Sequence, residues 1–486
     1  MSKHKMSENY FTQAVKSLAA RIEQYSGKQS SLYKHASLLF ESHQIEHQAT
    51  QNKQSNLGAD NLARGNPYGP YHRNFLKEKL EEKLQDNYAE WCAVCEEIYT
   101  LVGAASPERR QQKCARLMST ILLLSRWERD KPMFQAGRHL YRATLSILLL
   151  DHMLSQGLIK NSYVLKYAEQ RIEGPKTYSD NNDNDDIVDA TCPFKTHIQI
   201  PMIMASLLQE VGTIHPEIRA LNKALEQETD LCPTKRRKMT VRIDQEAYGF
   251  TLNYLSEGIE AGNQPLNRLC RKQHQQAEEN KEKFKFIRTL LHCAAFKPGT
   301  VGDLLRLPQM YTNLLMSPAC HYDNIPKITR VICDRARRGL VGKDAVTSLE
   351  TILGYFPPGY GIAYIPKCGE EKDQDRYEFA IVTSLYPASP KHPRCRAVTR
   401  NLTYSAVGQD MIIAKENNLY FRFARKKLER VPEKRLREIL ALLYFDASRR
   451  MMVSSLIPSF WLPYEYFAYS RHQNLWGNTL NELTAA

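Results

Sequence analysis

The amino-acid sequence predicts a mainly helical protein that carries a small antiparallel β module towards its C-terminal end. Three observations lead there. Apolar residues recur every three or four positions through much of residues 76–295, the spacing of amphipathic helices. After Pro357-Pro358-Gly359 the pattern turns to short alternating runs separated by Pro, Gly and Asn-Asn, the spacing of strands and turns. The longest apolar stretches, Ile121–Leu124 and Leu145–Leu150, fall far short of the roughly 20 residues that cross a bilayer.

Taken in order, residues 8–43 show helical spacing in Phe11, Val15, Leu18 and Ile22, with a thin apolar face. From His43 to His72 the chain turns to Gln, Asn, Ser and Gly and reads as a linker. Leu76, Leu80, Leu84, Trp91, Val94, Ile98 and Val102 mark the first long helix, and further helices are expected over 108–126, 136–157, 197–212, 241–260 and 277–295. The acidic run Ser179–Asp186 reads as an exposed loop. Strands are expected over Gly361–Ile365, Phe379–Leu385, Ala397–Leu402, Met411–Ala414 and Leu419–Phe423. One more helix starts at Pro432 and buries Leu436, Ile439, Leu440 and Leu443, and the aromatic tail Phe460–Trp476 folds back over the β module. The segments are therefore 1–75 (helix and linker), 76–356 (helical domain), 357–430 (β module) and 431–486 (helix and tail).

With 42% hydrophobic and 25% charged residues, the chain can bury a core and is not a disordered polymer. Its 67 Lys and Arg against 53 Asp and Glu give a net charge of +14, which favours encounters with anions, whether nucleotides, nucleic acid or acidic surfaces. The same excess also serves plain solubility. Eleven cysteines without a repeating framework, and a polar start at Met1–Lys5 without a signal-peptide core, point to free thiols and the cytoplasm.

The most informative segment is Thr196–Glu217, which is apolar nearly all round from Ile198 to Val211 and so reads as a central buried helix. Gly212 follows as a low-cost helix cap. The run Leu207-Leu208-Gln209-Glu210-Val211-Gly212-Thr213, followed by His215-Pro216, resembles the Leu-Leu-His-Asp-Ile-Gly-Lys pattern of the HD metal phosphohydrolases. Within them it is similar to the HD-GYP cyclic-dinucleotide phosphodiesterases of bacterial signalling. His139, in Gly137-Arg138-His139-Leu140-Tyr141, corresponds to the family's earlier metal-binding histidine, and Gly354-Tyr355-Phe356-Pro357-Pro358-Gly359 resembles the entry to the family's β extension. The resemblance spans about 130–360 and implies an HD-like helical bundle.

It also implies a degenerate site. Gln209 and Glu210 stand where the family has its metal-binding His-Asp doublet, and an amide does not replace an imidazole as a ligand. Thr213 replaces the lysine, and Phe296–Asp303 does not carry the Gly-Tyr-Pro signature. The leading expectation is a catalytically degenerate HD-GYP-like regulatory or scaffolding protein that senses cyclic di-GMP, with a protein partner and no cofactor. A first alternative is an active phosphodiesterase holding a divalent metal on His139, Glu210 and Asp334. The bland alternative is a Gln209–Glu210 pair that only hydrogen-bonds within a core beside a satisfied His139.

Lys235, Arg236, Arg237 and Lys238, in a loop after Cys232-Pro233, are the candidate anion-binding residues, since guanidinium forks grip phosphate oxygens. With the cationic stretch Arg422–Arg437 and the aromatic tail they carry a second alternative, a nucleic-acid-associated protein. Cys92-Ala93-Val94-Cys95 offers only two ligands within a helical pattern and reads as core packing. The acidic loop fails as an EF-hand, because Asp185 and Thr191 stand where that site needs glycine and glutamate. No phosphate-binding P-loop and no nucleophile elbow is present.

Overall fold

A computed structural model describes residues 8–23, 31–42, 70–104, 106–127, 132–172, 192–228, 231–261, 271–368, 372–444 and 455–476. Most of the expected linker 43–72 and all of the acidic loop 179–186 lie outside the described residues. The architecture is mainly helical, with a four-stranded antiparallel sheet near the C-terminal end.

Helix α1 (Tyr10–Ile22) starts on Asn9, whose side chain accepts from the Thr12 amide, and it buries Val15, Leu18 and Ile22. Helix α2 (32–42) buries Leu32, Tyr33, Ala36 and Phe40. The apolar face that looks thin in sequence is thus fully used. Next come α3 (Pro70–Val102), α4 (Pro107–Trp127), α5 (Pro132–Ser155) and α6 (Ser162–Ala168).

Two helices form the centre. Every residue of α5 from His139 to Leu150 is buried, because α1, α4, α11 (Asp303–Leu315), α13 (Lys343–Leu353) and α7 (Ile200–Leu208) surround it. Helix α7 is buried from Pro201 to Leu208, between α3, α5 and α10 (Arg271–Phe296). A π turn at Lys195–Gln199 leads into α7 and a 3₁₀ turn at Val211–Ile214 leaves it, so the helix expected over 197–212 ends four residues early.

Helices α8 (Pro216–Gln227) and α9 (Pro233–Asn253) form a hairpin with a small core of its own, Ile218, Leu225, Ile243 and Ala247. The sequence places the start of α9 at 241. Pro233 instead occupies its first turn, where a fixed φ and a missing N–H suit a helix start. The basic run 235–238 is therefore helical, not a loop. Helices α11, α12 (Ile328–Arg337) and α13 were not expected. Pro308 within α11 interrupts the sequence signal, and Thr312 Oγ1 donates to the Pro308 carbonyl.

The sheet runs β1 (Gly361–Tyr364), β4 (Glu378–Val382), β5 (Arg394–Ala397), β8 (Asp410–Ile412), with Gly361 opposite Ile381 and Ala380 opposite Ala397. Strands β2 (Lys367–Cys368) and β3 (Lys372–Asp373) form one small ribbon, and β6 (Thr399–Arg400) and β7 (Thr403–Tyr404) another. The expected strand 397–402 breaks at Val398. Asn401 and Leu402 take φ of 51° and 63° and make the two-residue turn that matches strand twist. Buried Glu378 holds that turn by accepting from the Leu402 amide at 3.0 Å. Leu419–Phe423 is not a strand. The one isolated bridge here is made by the preceding Asn418, to Tyr364, before α14 (Arg422–Leu428) begins.

Helix α15 (Glu433–Leu443) buries Leu436, Ile439, Leu440 and Leu443, the four residues its spacing selects. The aromatic tail does fold onto the β module. Trp461 is 3% exposed and stacks on Phe379 with centroids 4.9 Å apart, and Trp476 Nε1 donates to the Thr383 carbonyl. The tail also clasps the first helix: Gln473 Oε1 accepts from the Asn9 amide at 2.9 Å and from Thr12 Oγ1 at 3.0 Å. One continuous hydrophobic core, from Val15 to Leu475, joins the helices, the sheet and the tail. Among the described residues no helix is long and apolar enough to cross a membrane.

Candidate functional site

Helix α5 sets out Arg138, His139 and Arg142 at i, i+1 and i+4, so that the two arginines share one face and the histidine adjoins it. His139 and the Arg142 side chain are both 0% exposed. Such a burial of polar groups is tolerable only if each finds partners.

The partners converge from four other elements. Glu23, at the end of α1, lies with Oε2 2.6 Å from His139 Nε2. Arg142 Nη2 lies 2.6 Å from His139 Nδ1. A guanidinium can only donate, so Nδ1 is the acceptor and Nε2 carries the proton that Glu23 receives. Tyr33 on α2 packs its ring 4.7 Å from the imidazole and donates to the Leu207 carbonyl at 2.8 Å. Burial pushes the His139 pKa down, against the opposing pull of Glu23, so the ring is neutral at pH 7.

Glu210 follows α7 at the start of the 3₁₀ turn. Its Oε2 accepts from Arg138 Nη2 at 2.9 Å, and its Oε1 lies 2.8 Å from Arg142 Nη1. Gln309 on α11 donates to Oε1 at 3.4 Å and accepts from Gln209 at 3.3 Å. Burial alone would raise the Glu210 carboxyl, but Arg142 and Arg138 overcome it and hold it well below the usual carboxylate range. Two carboxylates thus face two guanidiniums around a neutral imidazole, and the formal charges of the network cancel.

The structure therefore brings His139, Gln209 and Glu210 into one network, with Arg142 between the histidine and the glutamate. It does not bring Asp334 there. That carboxylate sits on α12, 47% exposed, and pairs with Arg337 at 2.9 Å, one helical turn on. A metal set of His139, Glu210 and Asp334 is not assembled. Among the described residues no three His, Cys, Asp or Glu side chains are placed to hold a metal. The donors do not fit one either: the Nδ1 lone pair is taken by Arg142, Nε2 carries a proton, and both Glu210 oxygens face guanidiniums. Binding a cation would require removing Arg138 and Arg142 from a buried carboxylate.

Lys235, Arg237 and Lys238 are exposed on the first turns of α9, and Arg236 Nη2 donates to the Glu228 carbonyl at 2.5 Å. Within Arg422–Arg437, Lys427, Arg430, Arg435 and Arg437 are ion-paired with Asp373, Asp375, Glu438 and Glu433. Cys95 is buried and Cys92 half-buried, both free thiols on α3. His215 caps α8, with Nδ1 accepting from the Glu217 amide at 3.3 Å, and stacks 3.5 Å from the Phe250 ring.

Gly212 is needed for a reason other than capping. A Cβ there would lie 1.8 Å from the Ala247 carbonyl oxygen on α9, and its amide donates to Thr251 Oγ1 at 3.0 Å. Gly212→Ala is expected to push α9 off the turn that carries Glu210. Its cost should lie near the top of the ~1–3 kcal/mol range for overpacked sites, read from urea unfolding.

Residues missed in sequence are Glu23, Tyr33, Arg138, Arg142 and Gln309. Two arginines four apart within an apolar helix are a readable signal; a glutamate 116 positions from its histidine leaves none. Comparison of the chain with protein-family models, with curated proteins and with solved structures finds no match.

Proposed function

We propose that this protein is a catalytically silent, cytoplasmic regulatory or scaffolding protein, built on an HD-GYP-like helical frame and responsive to cyclic di-GMP. One observation carries the reading: both ring nitrogens of His139 and both carboxylate oxygens of Glu210 are engaged by the protein's own side chains. Arg142 and Glu23 take the two nitrogens of His139, and Arg138 and Arg142 take the two oxygens of Glu210. Residues so engaged offer no place for the metal-activated water that serves as nucleophile in that chemistry. What such a network does well is fix five elements in one arrangement, which suits a protein that presents surfaces to a partner.

The test combines metal analysis, hydrolysis of cyclic di-GMP with added manganese or iron, and thermal unfolding with the same nucleotide. Expected are no stoichiometric metal, no turnover, and a rise in midpoint with cyclic di-GMP, since a ligand at 100-fold its Kd stabilises by about 2.7 kcal/mol. Metal-dependent turnover would remove the silent-scaffold reading. An unmoved midpoint would remove the cyclic di-GMP response and leave the scaffold.

A further inference from the structure

We infer that a cleft between the end of α13 and the loop joining β4 to β5 binds a phosphoryl group carried on a small planar body, the chemistry of a mononucleotide. The inference is independent of the His139 network. The cleft has a volume of about 360 Å³ and is lined by Tyr355, Ser389, Pro390, Lys391, His392 and Lys415. That volume lies at the small end for ligand sites and suits a nucleotide monomer rather than a macromolecule.

The lining is one-sided in chemistry. Two lysines, a histidine, a serine and a tyrosine line the space, and no aspartate or glutamate is among its lining residues. Lys415 has one loose neighbour, Glu416 at 3.6 Å, with both side chains about half exposed, a contact of little strength in water. Among the described residues the Lys391 and His392 side chains make no hydrogen bond or ion pair. Lys427, Arg430, Arg435 and Arg437, by contrast, are each paired with a carboxylate. Tyr355 and Pro390 supply the apolar wall against which a base or sugar can lie.

The cleft is also held in place before any ligand arrives. Pro387, Pro390 and Pro393 fix φ at three points of the loop. The Tyr386 amide donates to Ile352 O at 2.8 Å, the Tyr355 amide to Pro390 O at 2.9 Å and the His392 amide to Ser389 O at 2.9 Å. Gly354, at φ 60°, lets α13 end against this loop, where a Cβ would come within 2.8 Å of Pro387 Cγ. A cationic site preset by its backbone loses little conformational entropy on binding.

The experiment titrates the full chain calorimetrically with inorganic phosphate and with AMP, at physiological ionic strength. Lys391→Ala/Lys415→Ala is compared with Lys235→Ala/Lys238→Ala, which removes the same charge from α9. All four side chains are exposed or half-exposed, so equal thermal midpoints confirm intact folding. Expected is a tenfold or greater loss of AMP affinity in the cleft variant and less than twofold in the α9 variant. Tyr355→Ala separates the two sources of the phosphoryl group: it should weaken AMP and leave inorganic phosphate unchanged. Equal losses in both double variants would assign the binding to the net charge of +14 and overturn the site. So would the absence of heat with either probe at millimolar concentration. Neither probe reports on metal or on cyclic di-GMP, so failure here is distinguishable from failure of the proposed function.

Discussion

Arg142→Met should destabilise the fold by about 3–5 kcal/mol, the cost of removing one member of a buried charge network, even though Arg138 still pairs with Glu210. The methionine fills much of the space, so the loss is electrostatic. Glu210 Oε1 would lose the guanidinium 2.8 Å away, and His139 Nδ1 would lose its only charged donor. Urea unfolding at pH 7 measures the effect, and an unchanged m-value would assign it to the folded state. The pH dependence gives a second reading of the same variant. In the native protein Glu210 binds a proton far less readily than in the unfolded chain, where the ordinary value is near 4.5. Its contribution is complete above that pH and fades as pH falls towards the depressed folded value. The gap between native protein and Arg142→Met should therefore be widest at neutral pH and should narrow below about pH 4.5. A gap that stays constant down to pH 3 would mean that Arg142 acts through packing alone.

Trp461→Ala should cost a similar ~3–5 kcal/mol, the range for removing a large buried aromatic. Trp461 is the point at which the tail grips the sheet. Its ring lies parallel to that of Phe379 and within about 6.2 Å of those of Tyr404 and Tyr466. Strand β1 is at the end of the sheet order, and there the backbone of Trp461 comes so close to Gly361 that a Cβ on the glycine would lie 2.2 Å from its carbonyl oxygen. The alanine variant should lose stability and also expose residues 455–476 to limited proteolysis under native conditions. Intact protection of that segment would show that the remaining aromatics suffice to hold it.

The helical frame was readable because its buried helices are long and apolar at helical spacing, and α15 followed its stripe residue by residue. Helices α11–α13 were not readable, since Pro308 and short apolar runs hide their period although tertiary packing buries them. Sheet residues showed as alternation, but turn chemistry decided where strands broke. Asn401-Leu402 cut one expected strand, and the start of α14 replaced another. At the site, the sequence singled out Gln209, Glu210 and His139, and the structure places all three in one network. Their meaning was not legible, because it depends on Arg142 from the same helix as His139 and on Glu23 from a distant one. Asp334, expected as a ligand only in the active-enzyme alternative, lies apart from that network, and an aspartate on an amphipathic helix looks alike in sequence whether it faces a core or, as here, an arginine in solvent.

The grip of Gln473 on Asn9 and Thr12 sets an order of events during biosynthesis. These partners are separated by 464 and 461 positions, so the lock cannot close before nearly the whole of this sequence has cleared the ribosomal tunnel. Until then α1 is held by its packing against α3, α4 and α5 and by the ion pairs of Arg21 with Glu90 and Glu97, without the clasp at its start. A chain shortened to end before residue 473 would lack this clasp and leave the start of its first helix less firmly seated.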